Sequence, residues 1–321
     1  MRCLAALLLA SCVDEPVTVA PYGGGAPAER LSELRLFADA PAQTPAPGVV
    51  PYDVIAPLWS DGAAKLRFVA TPVPLATTAD AWTIGAGTYL VKTFHFPRDA
   101  RDPAAGTRLV ETRVIAFTGG APAMATYVWN DAQTDAFASG GNLDIDVDFI
   151  DASGAARHQV HHVPGTSQCD DCHRGGALGI RTPELAGQID DLIAAGIADR
   201  VPDAIEPFVD PYDPAAPLAA RASSYLDVNC AHCHSPGGAA QGTHADWRRA
   251  HVAEAICRDA SYGVDGAERI IDPGHPERSV IVKRLRSSDA FVHMPRGPSH
   301  VIDERGVAML ESWISSLAGC P

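Results

Sequence analysis

Two pentapeptides in this chain have the residue types and spacing for covalent chemistry: Cys169-Asp170-Asp171-Cys172-His173 and Cys230-Ala231-His232-Cys233-His234. In each, two thiols stand three positions apart, so a single helical turn presents both to one edge of a planar group. Thiols so placed form thioethers with the two vinyl groups of a porphyrin. The His that follows then lies under the iron as its proximal ligand. The pair of motifs predicts two covalently attached haem c groups. Cys169, Cys172, Cys230 and Cys233 are the attachment points, and His173 and His234 the iron ligands. Paired Cys-x-x-Cys can instead hold tetrahedral zinc or disulfides. Zinc, however, does not require a His after each pair, and export disfavours free thiolates.

The second site can be completed along the chain. Met294, in His293-Met294-Pro295-Arg296-Gly297, lies 64 positions after Cys230 and is the expected sixth ligand; His293 and His300 compete for that place. A His/Met iron has a raised potential and no open position, which suits an electron carrier. The first site has no such partner nearby, because no Met or His falls between Arg174 and Asn229. Its candidates are Met124, His95, His158, His161 and His162. With none of them bound, the iron is five-coordinate and open to a small ligand. Lys283, Arg284 and Arg286 form a small basic group for haem propionates, or else a solvated helix face.

The elements that must position these residues follow from periodicity. Leu66–Val69, Thr88–Phe96, Arg108–Ile115, Ala125–Trp129 and Leu143–Phe149 are rich in β-branched and aromatic residues or alternate apolar with acidic ones, the pattern of strands. Helical spacing begins after about residue 165. Thr182-Pro183 reads as a helix start, with Leu185, Ile189, Leu192 and Ile193 on one face and Gly196 as the stop. A second helix runs from about 216 to Cys230. A third is capped by Asp303 and carries Val307, Leu310, Ile314 and Leu317 on one stripe. The expected fold class is α+β: an N-terminal antiparallel β-sandwich-like domain followed by a mostly α-helical, cytochrome c-like region. Length alone also suggests two domains. The expected divisions are a lipoprotein signal peptide (1–12), a flexible tether (13–45), a β-rich domain (46–163), a first haem-binding segment (164–214) and a cytochrome c-like domain with the second haem (215–321).

Met1-Arg2-Cys3 followed by a short apolar run to Ala10 reads as an export signal, too short to span a bilayer. Leu9-Ala10-Ser11-Cys12 matches the lipoprotein pattern, which would tether the chain by acylation of Cys12 on the periplasmic side of the cell envelope. Of the 8 cysteines, Cys257 and Cys320 are then left outside the motifs, and a disulfide between them is an open possibility that geometry decides. The net charge of −14 argues against nucleic acid as a partner, since phosphate binding needs clustered Lys and Arg. Redox proteins are the expected partners.

Taken together, these residues resemble a family of bacterial diheme c-type cytochromes with an N-terminal β-domain. The resemblance is carried by Pro57-Leu58-Trp59-Ser60-Asp61 with Lys65 and Arg67, Gly87 to Thr93, Glu111-Thr112-Arg113 and Tyr127-Val128-Trp129-Asn130. It continues with Gln133-Thr134-Asp135, Val163-Pro164, Leu226-Asp227-Val228-Asn229-Cys230, Pro273-Gly274, Pro276-Glu277-Arg278-Ser279 and Met294-Pro295. The C-terminal part resembles a class I cytochrome c domain, with Tyr225 and Trp313 on its two crossing helices. Arg296-Gly297 departs from the second Pro that many relatives carry after Met-Pro. The resemblance implies two haems and electron transfer, and no substrate. A peroxidase-type haem enzyme with an open first site is the alternative. A colourless binding lipoprotein is a third reading.

Overall fold

The computed structural model describes residues 27–173, 177–240, 242–296 and 299–321. The expected signal peptide, Cys12 and residues 13–26 of the expected tether lie outside these residues. The described chain holds fourteen strands and six α-helices. The strands are β1 (Phe37–Asp39), β2 (Thr44–Pro45), β3 (Val49–Tyr52), β4 (Ala64–Ala70), β5 (Ala76–Thr77), β6 (Trp82–Thr83) and β7 (Tyr89–Pro97). They continue as β8 (Thr107–Ala116), β9 (Ala123–Trp129), β10 (Ala136–Ser139), β11 (Leu143–Ile150), β12 (Ala156–Val163), β13 (Asp259–Val264) and β14 (Ala267–Arg269). The helices are α1 (Thr166–His173), α2 (Thr182–Leu185), α3 (Ile189–Ala194), α4 (Leu218–Cys230), α5 (Val280–Arg286) and α6 (Glu304–Ser316).

The centre of the N-terminal part is one six-stranded antiparallel sheet, ordered β10-β9-β8-β7-β4-β3. Strand side chains alternate between faces. One face sends Phe68, Val91, Val114 and Tyr127 into a core closed by Leu31, Leu34 and Leu36. The other face carries Val69 and Leu90 under Leu185, Ile189 and Leu192 of α2 and α3, then Phe94 and Phe96 under Val147 of the β11–β12 hairpin.

Three expectations are corrected here. The β-domain is not a sandwich, because the second face of its sheet is covered by two short helices and a hairpin rather than by another sheet. The region from 215 onward is not mostly helical. It holds helices of 13, 7 and 13 residues, separated by 3-10 turns, the β13–β14 hairpin and long irregular stretches. Glycine and proline are the cause: Gly237, Gly266 and Gly274 adopt positive φ, and Pro236 and Pro273, beside the first and last of these, cannot donate to a helix ladder. Finally, residues 31–45 are not tether. Leu31 and Leu36 are fully buried and β1 pairs with β2; the apolar positions 31, 34 and 36 seal the first face of the sheet.

The last part of the chain packs α4 against α6, with Tyr225, Leu226, Val307, Leu310, Trp313 and Ile314 in one core. A Cβ at Gly306 would collide with the Tyr225 ring, so glycine there permits the close crossing. Asp303 caps α6 by accepting from the Gly306 amide at 2.9 Å, as its sequence position predicts. Cys257 and Cys320 form a disulfide that closes a separation of 63 residues.

Candidate functional site

The second motif begins on the last residue of α4. Beyond it the backbone keeps turning, with the Cys233 and His234 amides both donating to the Cys230 carbonyl at 3.2 and 2.9 Å. This coil brings Cys230, Cys233 and His234 to the wall of one cavity of about 700 Å3, which Met294 and His293 also line. Trp247, Leu285, Ile302 and Val307 make much of the rest apolar. The Thr243 hydroxyl donates to the Ala240 carbonyl at 2.8 Å, so it accepts from Nδ1 of His234 at 2.9 Å. That leaves the His234 Nε2 lone pair free, the arrangement a metal-binding imidazole needs. Burial, then neighbouring His232 and Arg284, lowers the His234 pKa to about 4, so the ring is neutral at pH 7.

Met294 is held through its backbone, its amide donating to the Arg284 carbonyl at 3.1 Å. His293 donates from Nδ1 to the Ser287 carbonyl at 2.8 Å, and its Nε2 is buried with no hydrogen-bond partner among the described residues. His300 is not part of this wall; its ring lies 5.8 Å from that of His162. Of the expected basic group, Arg284 lines the cavity, whereas Arg286 is tied to Glu304 and Glu311 on α6.

The first motif lies on α1. Cys169, Cys172 and His173 line a smaller cavity of about 130 Å3 whose other walls include Lys92, Arg113 and Met124 of the sheet. Among the sequence candidates for the far side of this site, Met124, His161 and His162 share that cavity. Each of the two imidazoles already has a carboxylate: His161 Nε2 lies 2.9 Å from Glu111, and His162 Nδ1 lies 2.7 Å from Asp144. His158 is exposed, on the hairpin, against Asp148.

The two motifs meet in the fold. The donor atoms of Cys172, His232 and Cys233 all lie within 4.8 Å of one another. Hydrogen bonding from Cys233 and His232 lowers the Cys172 pKa to about 4, while burial pushes the Cys230 thiol up to about 12.

A strap from the β-domain holds both sides of the second cavity. The Trp59 amide donates to Asn229 Oδ1 at 2.7 Å, one residue before Cys230, and its indole donates to the Val301 carbonyl at 2.8 Å. Asp61, 2% exposed, accepts from Ser299 Oγ at 2.8 Å, the His300 amide at 2.9 Å and the Val301 amide at 3.0 Å. These partners sit on the loop that follows Met294. In the sequence, Trp59 and Asp61 stand out only within the family resemblance, with no role, and Thr243 carries no signal at all.

The donor set tests whether haem c suits these sites. At the second, two thiols, a neutral imidazole with its outer nitrogen fixed, and a thioether share a largely apolar cavity. Its volume falls within the roughly 300–1,000 Å3 typical of cofactor pockets, and the residues fit. At the first, the donors fit, but the cavity is smaller than that range. Among the described residues no helix is long and apolar enough to cross a membrane. Comparison with protein-family models, curated proteins and solved structures finds no match.

Proposed function

We propose that this chain is an exported diheme c-type cytochrome that passes electrons between redox proteins at the periplasmic side of the cell envelope. One observation carries the reading. Folding brings Cys230, Cys233, His234 and Met294, spread over more than sixty positions, to the wall of a single cavity. Haem c, when bound, would supply a one-electron iron couple. Cys230 and Cys233 would hold it by thioethers, and Thr243 keeps Nε2 of His234 available to its iron. Met294 is the proposed ligand from the loop that Asp61 secures. The apolar wall formed by Leu285, Ile302 and Val307 would favour the less charged, reduced state of a bound haem and so raise its potential. Cys169, Cys172 and His173 take the same roles in the proposed first haem site. The proximity of Cys172 to Cys233 would set the two attachment edges next to each other, which supports rapid exchange between them. Acylation at Cys12 is the proposed anchor.

A second reading draws on the same cluster. Cys172, His232 and Cys233 are three nitrogen and sulfur donors within reach of one ion, a set suited to tetrahedral zinc with one position open. The deciding experiment is a pyridine haemochrome assay, with zinc analysis, on protein matured in a haem-attaching host. Two haems per chain are expected. A colourless protein carrying stoichiometric zinc would replace the proposal with the zinc reading. Peroxide turnover with a reduced donor would favour the peroxidase-type alternative.

A further inference from the structure

Three strands of the large sheet place cations side by side. The register sets Arg67 opposite Lys92 and Lys92 opposite Arg113, so all three project from one face as a row across β4, β7 and β8. Like charges directly opposed destabilise a sheet, and more so where water is scarce. Arg67 is 5% exposed. The flanking cations have relief: Arg67 reaches Asp53 at 3.0 Å, and Arg113 grips Glu111 through two hydrogen bonds of 2.6 and 2.9 Å. Lys65, next to the row, donates to the Leu58 carbonyl at 2.6 Å. Lys92, the central member, has no hydrogen-bond or ion-pair partner among the described residues.

The nearest buried acids make their hydrogen bonds elsewhere. Glu111 is held by Arg113 and His161; Glu184 gives Oε1 to Arg181 at 2.8 Å, and its buried Oε2 has no hydrogen-bond partner among the described residues. Lys92 and Arg113 line the cavity of about 130 Å3 that also contains Cys169, Cys172 and His173. That space far exceeds the roughly 10–15 Å3 that admits one water, and it suits a small anionic group. Burial, then Arg67 and Arg113, lowers the Lys92 pKa to about 7, a fall that Glu184 and Glu111 only partly oppose.

We propose that Lys92, the centre of the Arg67–Lys92–Arg113 row, is with Arg113 the binding site for a carboxylate or small inorganic oxyanion in the cavity beside the first Cys-x-x-Cys-His motif. Two sources offer this chemistry. One is a propionate of a porphyrin attached at Cys169 and Cys172, and it rests on the haem reading above. The other is a free oxyanion, and it does not.

The test is Lys92→Met in the full, matured protein, which removes the charge and keeps most of the volume. With no anion in the site, losing the central cation relieves repulsion and raises the unfolding midpoint. With an anion bound, the same change lowers it. Inorganic phosphate is the probe for the free source. Wild type then gains stability with phosphate, and Lys92→Met binds it roughly tenfold more weakly by calorimetry, the loss of one charge-assisted hydrogen bond. The propionate source predicts a lower midpoint at every phosphate concentration, a lower potential for one haem and an unchanged count of two haems. Lys92→Arg should restore either behaviour. The inference is overturned by a Lys92→Met midpoint equal to or above wild type at all phosphate concentrations. A protein without a Soret band would end the haem reading, and the phosphate arm would still decide this one.

Discussion

Replacing Asp61 with Ala removes the carboxylate through which the β-domain grips the loop after Met294. Three donors lose their acceptor: Ser299 Oγ, the His300 amide and the Val301 amide. Hydrogen bonds to a charged group contribute about 1.5–3 kcal/mol each, but three on one carboxylate are coupled and do not add in full. The site is buried, so the orphaned amides reach water only if the loop shifts. Together these give an expected loss of roughly 3–5 kcal/mol for Asp61→Ala. Asp61→Asn, which keeps one acceptor oxygen but turns an amide group toward donors, should lose roughly half of that. The assay is urea denaturation of the haem-loaded protein followed by far-UV circular dichroism, beside the weak far-red absorption that reports sulfur bound to ferric iron. Both should change, because the loop that Asp61 anchors carries the proposed ligand. A loss under about 1 kcal/mol with unaltered far-red absorption would show that the loop holds its shape without Asp61.

The ligand assignment is separable from the strap: Met294→Ala should abolish the far-red absorption while His293→Ala preserves it; no far-red absorption in the wild-type protein, with a low-spin spectrum lost in His293→Ala, would assign the iron to the unpaired Nε2 of His293. Serine at both Cys257 and Cys320 should cost roughly 4 kcal/mol in urea midpoint stability, the chain-entropy value for a loop of this size; no change would mean the unlinked C-terminus is already held by α6. For Glu111, burial raises the carboxyl pKa but Arg113 and His161 outweigh it and hold it at about 2, below its ordinary value of 4.5. A depressed folded-state pKa contributes stability that is complete above about 4.5 and lost as pH falls toward about 2. Glu111→Gln should therefore be less stable than wild type at neutral pH, with the gap closing across that acid window. A gap independent of pH would refute the ionised pairing.

Local spacing made much of this protein legible. β4, β7, β8, β9 and β11 fall where β-branched and alternating residues put them, because a strand's two-residue period is written in consecutive positions. Asp303 is legible as a cap for the same reason, and the two Cys-x-x-Cys-His motifs are complete within five residues each. Where chemistry depends on which element lies across from which, spacing is silent. The sheet's second face alternates just as well under helices as under a second sheet, so a sandwich could not be told from the observed covering by α2, α3 and a hairpin. In the C-terminal region, the helix ending at Cys230 and the apolar stripe of α6 are legible in the sequence, but the glycines and prolines between them decide for irregular structure. Cys172 against Cys233, Asp61 on the loop after Met294, and an unpaired Lys92 between two arginines are contacts or registers between distant segments. The chain alone determined which side chains could attach a porphyrin and ligate iron. Packing determined that the two motifs touch, that the β-domain holds the second, and that three cations line up beside the first, because those facts exist only once the sheet has its register and the segments meet.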